Sequence, residues 1–448
     1  MRTKLTATAL VLCGTLSAQE RGNLLIIVAD DLGKEVLSIY DTPTKLKAAT
    51  PNIERLAERG VVFDNVWGYP LSAPVRAAML TGRNGHDTGI VSLSISLPLS
   101  ERTIFESLPS DYSNALFGKW HLSRGDDFAE SYGIDYFAGF AEGGGVRNYN
   151  GWRFTKNGKS NFTNEYVTTT ITNEAKGWIE EQESPWFCWV AYNAPHTPYH
   201  LPPSEMHTHN ELSGSADDIA NNPLPYYLAM VESLDYEIGR LLESVDSSTT
   251  VIFVGDNGTE RGVLQPPYSP RHGKGTLYES GVAIPMVVCD KSTRQGERSD
   301  AMVSAADIYP TAMEFMGCEM SSYEDGYSFA QVVLNGGTTE RQFNFSEILN
   351  RRLGYTNAIS DGDYKLISTE SGQEELYNVA NDPYEQQNLL LSKLSSASSA
   401  ALKSLRTALK EMEITLDNIS ETTTSTRPNN ARTNNARPNR PMNRPMMQ

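Results

Sequence analysis

Three stretches of this chain are apolar at nearly every position, where an amphipathic element would alternate: residues 24–28, 186–192 and 250–254. A strand of that kind has no solvent face, and such strands belong to a sheet covered by helices on both sides. Each stretch runs directly into polar residues: Asp30-Asp31 after the first, Asn193-Ala194-Pro195-His196 after the second, Asp256-Asn257 after the third. In covered sheets ligands gather beyond the carboxyl ends of the strands, so the three runs point to one shared site. Between them lie helical patterns. Thr50-Pro51 supplies an N-cap and an N1 proline ahead of Ile53, Leu56 and Ala57, with Gly60 as the stop. Residues 226–245 place Leu228, Val231, Leu234, Ile238, Leu241 and Leu242 at helical spacing, an amphipathic cover helix with Asp235 expected on its solvated face. From Gly354 to Leu390 the pattern shortens to segments such as Tyr364-Lys365-Leu366-Ile367 and Glu375-Leu376-Tyr377, broken by Asp-Gly and Asp-Pro turns, which predicts a small antiparallel unit.

The expected fold is therefore α/β: a large central, mostly parallel sheet covered by helices on both faces, followed by a smaller C-terminal antiparallel subdomain. A length of 448 residues suits one such large unit with an appendage. The ends read differently. A basic start, a short apolar run from Leu5 to Leu16 and small residues up to Ala18 form a secretory leader over 1–18. That run is too short to span a bilayer and none of spanning length follows, so no transmembrane segment is expected and the destination is secreted or periplasmic. The predicted organisation is then a catalytic unit over 19–350, the antiparallel subdomain with a helix over 351–420, and a disordered Arg-, Asn- and Pro-rich tail over 421–448. Removing the leader removes Cys13. Cys188, Cys289 and Cys318 remain, too few and too sparse for a disulfide framework, and the first two sit in apolar runs as core residues. A net charge of −17 argues against nucleic acid as a partner, because backbone binding needs clustered Lys and Arg. A local cationic pocket can still hold one anion within an acidic chain.

The candidate chemistry centres on Ser72-Ala73-Pro74-Val75-Arg76, continuing to Thr81-Gly82-Arg83. Pro74 suits the N1 position of a helix, which puts Ser72 at its positive end. Around it, in order along the chain, stand Val28-Ala29-Asp30-Asp31, Thr50-Pro51-Asn52-Ile53, Gly118-Lys119-Trp120-His121, Pro195-His196-Thr197-Pro198, Asp256-Asn257-Gly258 and Gly273-Lys274-Gly275-Thr276-Leu277-Tyr278-Glu279. This ordered set resembles the formylglycine-dependent sulfatases of the alkaline phosphatase superfamily, in the serine-type form, from Asn23 to about Leu390.

The resemblance implies specific roles. Asp30, Asp31, Asp256 and Asn257, together with the modified Ser72, would hold a divalent cation; oxygen donors alone favour calcium, with magnesium possible, over zinc. Arg76, Lys119 and Lys274 would offset the carboxylates and grip the sulfate oxygens. Of seven histidines, His121 would assist Ser72 and His196 would lie with Lys274 on the leaving-group side. Ser72 would be converted to formylglycine by a maturation enzyme, because a plain serine forms a sulfate ester that is hard to clear whereas an aldehyde hydrate has a built-in release step. Val75 stands where the family usually has a small residue, and the basic residue many relatives carry near Ala283 is missing; the resemblance would connect the first with maturation and the second with substrate choice. The implied activity is hydrolysis of sulfate esters on a sulfated saccharide. Two alternatives stand beside it: a phosphonate or phosphodiester hydrolase of the same fold, and a non-catalytic sulfated-glycan binder with Ser72 unmodified.

Overall fold

The computed structural model describes residues 21–412 and 414, apart from 94–95, 126–127, 142, 184 and 319–324. The predicted leader at 1–18 and the predicted tail at 421–448 lie outside the described residues. Among the described residues ten strands form the main sheet, in the order Glu297–Ser299, Val61–Phe63, Met286–Cys289, Thr250–Gly255, Leu24–Ala29, Trp186–Ala191, Ser113–Lys119, Tyr136–Phe140, Trp152–Lys156 and Lys159–Thr163. The five strands from Thr250–Gly255 to Tyr136–Phe140 are parallel, and antiparallel pairs flank them on both sides. Leu24–Ala29 lies at the centre, in register with Thr250–Gly255 on one side and Trp186–Ala191 on the other, so the polar residues that follow these strands emerge side by side.

The all-apolar pattern has a direct structural cause. Leu24, Ile26 and Val28 enter one core with Ala73, Ala77 and Leu80, while Leu25, Ile27 and Ala29 enter the other with Ile53, Leu56, Leu234 and Ile238. One face is covered by the helices Ser72–Thr81 and Ile308–Phe315, the other by Pro51–Arg59, Val167–Glu180 and Pro223–Leu242. Burying each aliphatic side chain contributes roughly 1.5–3 kcal/mol, which is why no polar residue interrupts the central strands. Cys188 and Cys289 are buried and unpaired, as their apolar surroundings predict. Among the described residues no helix is long and apolar enough to cross a membrane.

Asp235 does not face solvent. It is buried and accepts hydrogen bonds from the backbone N–H of Asn52 (3.1 Å) and Ile53 (2.8 Å) and from the Asn52 side chain (2.8 Å). Thr50, the predicted N-cap, makes no capping bond. The neighbouring helix caps this one, because the first-turn donors of Pro51–Arg59 end inside the protein where water cannot reach them.

A second sheet of four antiparallel strands follows: Asn344–Asn350, Gly354–Ser360, Tyr364–Thr369 and Glu374–Asn378. The helix Ser396–Glu411 packs Leu402 and Leu405 on Ile359, Leu366 and Leu376. The opposite face sets Ile348, Ala358, Ile367 and Tyr377 against Trp67, Leu277 and Val282 of the main unit. At that seam Lys365 is fully buried, pairs with Glu279 (3.1 Å) and Glu385 (2.8 Å), and lies 4.7 Å from the centre of the Trp67 ring.

Candidate active site

The carboxyl ends of the central strands deliver the predicted residues to one place. Asp30 and Asp31 end Leu24–Ala29, Asp256 and Asn257 end Thr250–Gly255, and Lys119 closes Ser113–Lys119 with His121 two residues beyond. His196 follows Trp186–Ala191. Ser72 opens the helix Ser72–Thr81 as its first residue, two positions ahead of the start that Pro74 suggested. Its side chain therefore sits where unpaired backbone N–H groups make the local field positive.

Ser72 Oγ lies 3.1 Å from Asp30 Oδ1 and 3.2 Å from Asn257 Oδ1. Lys119 Nζ stands 2.5 Å from Asp30 Oδ2, and Lys274 Nζ 2.5 Å from Asp31 Oδ1. Arg76 Nη2 lies 3.2 Å from Asp256 Oδ2, and its Nη1 donates to the Lys119 carbonyl at 3.3 Å. Asp256 Oδ1 accepts from the backbone N–H of Asp31 (3.0 Å) and Asn257 (2.7 Å). Asn257 Nδ2 donates to Asp31 Oδ1 at 2.7 Å. His196 Nδ1 is 2.7 Å from the Thr197 carbonyl, leaving Nε2 toward Asp31, 3.8 Å from its Oδ2. Asp31 and His121 both adopt φ of +66°, a left-handed backbone that non-glycine residues keep only where the surroundings hold them there.

The electrostatics follow from burial and close packing of opposite charges. Burial opposes ionisation of Asp30, yet Lys119, His196 and Arg76 outweigh it and hold the pKa below the ordinary carboxylate value. Burial and the Asp30 charge push Asp256 the other way. Burial lowers Lys119 despite Asp30, while Asp31, Asp30 and Asp256 overcome burial at Lys274 and raise it. Burial, then Lys119 and Arg76, drive His121 down to about 2, so it stays neutral. Its Nδ1 and the Nε of Arg76 are buried without hydrogen-bond partners among the described residues. An unpartnered buried N–H of Arg76, with Lys119 and Lys274 close by, suits a pocket shaped for an anionic group.

The donor set also fits a hard cation. Asp30 Oδ1, Asn257 Oδ1 and Ser72 Oγ converge, all buried, and Asp30, Asp31 and His196 offer ligand atoms within 4.8 Å of one another. His196 was not expected in that group. Asp256 is instead engaged by Arg76 and two backbone donors.

The supporting residues were less visible in the sequence. Tyr227, read only as part of a cover helix, donates to the Asp31 carbonyl (3.0 Å) and meets Thr259 Oγ1 (3.1 Å). Tyr149 OH lies 2.7 Å from the His196 carbonyl and 3.0 Å from that of Asn193. The paired tyrosine at 226–227 and the glycine run ahead of Tyr149 were the available signals. His200 packs against Tyr149, with ring centres 4.1 Å apart and planes inclined by 32°, and so braces the same loop.

Fold and cluster together define a hydrolase-type centre for an anionic ester at the strand ends of a covered α/β sheet. Residues 22–318 match the sulfatase family, and residues 271–414 match the C-terminal region described as N-sulphoglucosamine sulphohydrolase, C-terminal. The chain belongs to the sulfatase family, a family of sulfuric ester hydrolases that generally uses a metal ion and formylglycine. The uncharacterized sulfatase YdeN of Escherichia coli (strain K12) is 28% identical over 66% of this chain, which spans 63% of that relative's length. A sulfatase of Formosa agariphila is 28% identical over 83% of this chain and 85% of its own. The crystal structure of Ps i-CgsB in complex with k-i-k-neocarrahexaose superposes with a TM-score of 0.74 at 26% identity, covering 88% of this chain and 92% of that one.

Proposed function

We propose that this protein is a secreted or periplasmic sulfatase that removes sulfate from a saccharide, using formylglycine made from Ser72. The observation that carries the reading is the placing of Ser72 Oγ at a buried helix start, between Asp30 and Asn257, with Arg76, Lys119 and Lys274 gathered around it. Asp30, Asp31, Asn257 and residue 72 would hold calcium or magnesium, with Asp256 beside them, and His196 within reach of the same shell. Bound there, the cation would supply positive charge against the sulfate, and the aldehyde hydrate would supply a nucleophile that can be regenerated. The chain's own residues do the rest. Arg76 and Lys119 are fixed by Asp256 and Asp30 and face the anion as preorganised charges. His121, held neutral, supports residue 72 without adding charge. His196 Nε2 and Lys274 stand on the leaving-group side, where a proton must reach the departing sugar oxygen. The k-i-k-neocarrahexaose bound by Ps i-CgsB, a protein of similar fold, supports a saccharide substrate.

The test is peptide mass spectrometry across Ser72 on protein from its native host, followed by assay of sulfated saccharides against phosphate diesters. Formylglycine, two hydrogens lighter than serine, and sulfate release are the expected results. Active enzyme with only intact serine refutes the nucleophile. Preference for phosphate diesters refutes the reaction class, and glycan retention without release points to a binding protein.

A further inference from the structure

Outside the catalytic cluster, one cavity of about 310 Å³ lies along the edge hairpin formed by Trp152–Lys156 and Lys159–Thr163. Its volume falls at the lower end of the roughly 300–1,000 Å³ of small-ligand sites. Gly145 belongs to its wall. A Cβ on Gly145 would stand 3.1 Å from His196 Nδ1 and 2.9 Å from Asn193 Oδ1, and one on Gly144 would stand 3.4 Å from His121 Cε1. Gly145 thus separates the cavity from His196 by no more than a glycine's width, on the side proposed above for the leaving group.

Arg147 and Arg153 line this cavity from exposed positions, and Phe162, 69% exposed, sits opposite Arg153 across the hairpin. Arg147 makes no hydrogen bond or ion pair among the described residues. In a chain of net charge −17, two arginines and an exposed ring line this one cavity. An exposed aromatic face packs on the C–H face of a pyranose, and a guanidinium fork matches sulfate or carboxylate oxygens two at a time. We propose that this cavity receives the sugar next to the one bearing the scissile sulfate, and that Arg147 holds it through an anionic substituent. The inference rests on the sulfatase reading above and adds to it a requirement about the neighbouring residue of the glycan.

The experiment follows sulfate release from singly sulfated monosaccharides and from chondroitin-, heparin- and carrageenan-derived disaccharides whose second sugar is neutral, sulfated or a uronate. The enzyme should prefer an anionic neighbour by about tenfold or more in kcat/KM, the size expected of one charge-assisted hydrogen bond. Arg147→Ala and Arg147→Glu should erase that preference while leaving the monosaccharide rate within about twofold, and Arg147→Lys should keep part of it. Because the ratio is taken within each variant, a folding defect cancels. The sulfated and uronate arms show which anion is read. Equal rates with neutral and anionic neighbours, or a preference that survives Arg147→Glu, overturns the subsite and leaves the sulfatase standing. No release from any member of the panel overturns the sulfatase reading, and the subsite with it.

Discussion

Replacing Asp235 with asparagine separates two effects that meet at one buried carboxylate. Asp235 is 1% exposed and receives two backbone donors from the first turn of Pro51–Arg59 as well as the Asn52 amide. Those donors favour the anion, but burial costs it more, and the pKa is pushed from 3.8 up to about 6. A rise of that size corresponds to roughly 3 kcal/mol. The sign follows from proton linkage. The folded state holds this proton more tightly than the unfolded chain, so the stabilisation is complete below about pH 4 and disappears as pH rises through about 6. The amide introduced by Asp235→Asn cannot titrate, yet it keeps one acceptor for the helix start. Urea unfolding of both proteins at matched pH should therefore show wild-type stability, relative to Asp235→Asn, falling by roughly 3 kcal/mol between pH 4 and pH 7. Taking the difference removes the opposing acid sensitivity of groups such as His121, which the variant shares. A difference that is flat, or that grows with pH, would refute the claim that burial outweighs capping here. Asp235→Ala at neutral pH should cost about 1–3 kcal/mol, since it strands the donors altogether.

Four further outcomes are expected. Chelation should abolish sulfate release and lower the thermal midpoint, since buried carboxylates would lose their shared cation; metal analysis finding neither calcium nor magnesium in active protein would contradict it. His196→Ala should slow release from a sugar sulfate by about 10²- to 10⁴-fold but spare nitrophenyl sulfate, whose leaving group needs no acid, whereas Arg76→Ala should damage both alike; steady-state kinetics on the two substrates decide. His121, with its pKa driven down to about 2, should contribute no titration near neutrality, and its folded form should lose stability as pH falls below 6.5, which NMR titration of the ring protons can follow. Gly118→Ala should destabilise by about 2–5 kcal/mol and lower activity by displacing Lys119, because its Cβ would meet the Ala191 carbonyl oxygen at 2.0 Å and its φ is +88°; calorimetry gives the first and sulfate release the second.

What could be read from the sequence was set by how local each cause is. Strands buried on both faces announce themselves residue by residue, and the polar pairs ending them fall into one site because adjacent parallel strands finish level with one another. Asp235 resisted because its role depends on a helix nearly two hundred positions away in the chain, and spacing alone cannot reveal that. The strand Asn344–Asn350 was equally hidden: Ser346 and Glu347 point into the protein, and Glu347 is held by His86 (3.0 Å) and Tyr355, so the run lacks the apolar alternation that exposed its neighbours. Tyr149 and Tyr227 act through backbone carbonyls, contacts that no motif records. The cavity at Arg147 needed the hairpin to close before two arginines and a phenylalanine became neighbours.

The buried Lys365 bears on how such proteins can be recombined. Its two carboxylate partners come from opposite sides of the seam: Glu279 from the segment that begins with Lys274, and Glu385 from beyond the small sheet. The match to the C-terminal region begins at residue 271, ahead of both Lys274 and Glu279, and so overlaps the part assigned to the catalytic unit. A crossover between two relatives placed just before Asn344 would hand Lys365 a foreign loop in place of its own Glu279 and leave it only Glu385 of its two native partners. A crossover upstream of 271 would transmit lysine, both glutamates and the loop bearing Lys274 as one inheritance. One edge of the reaction centre thus belongs as much to the appendage as to the sheet it serves.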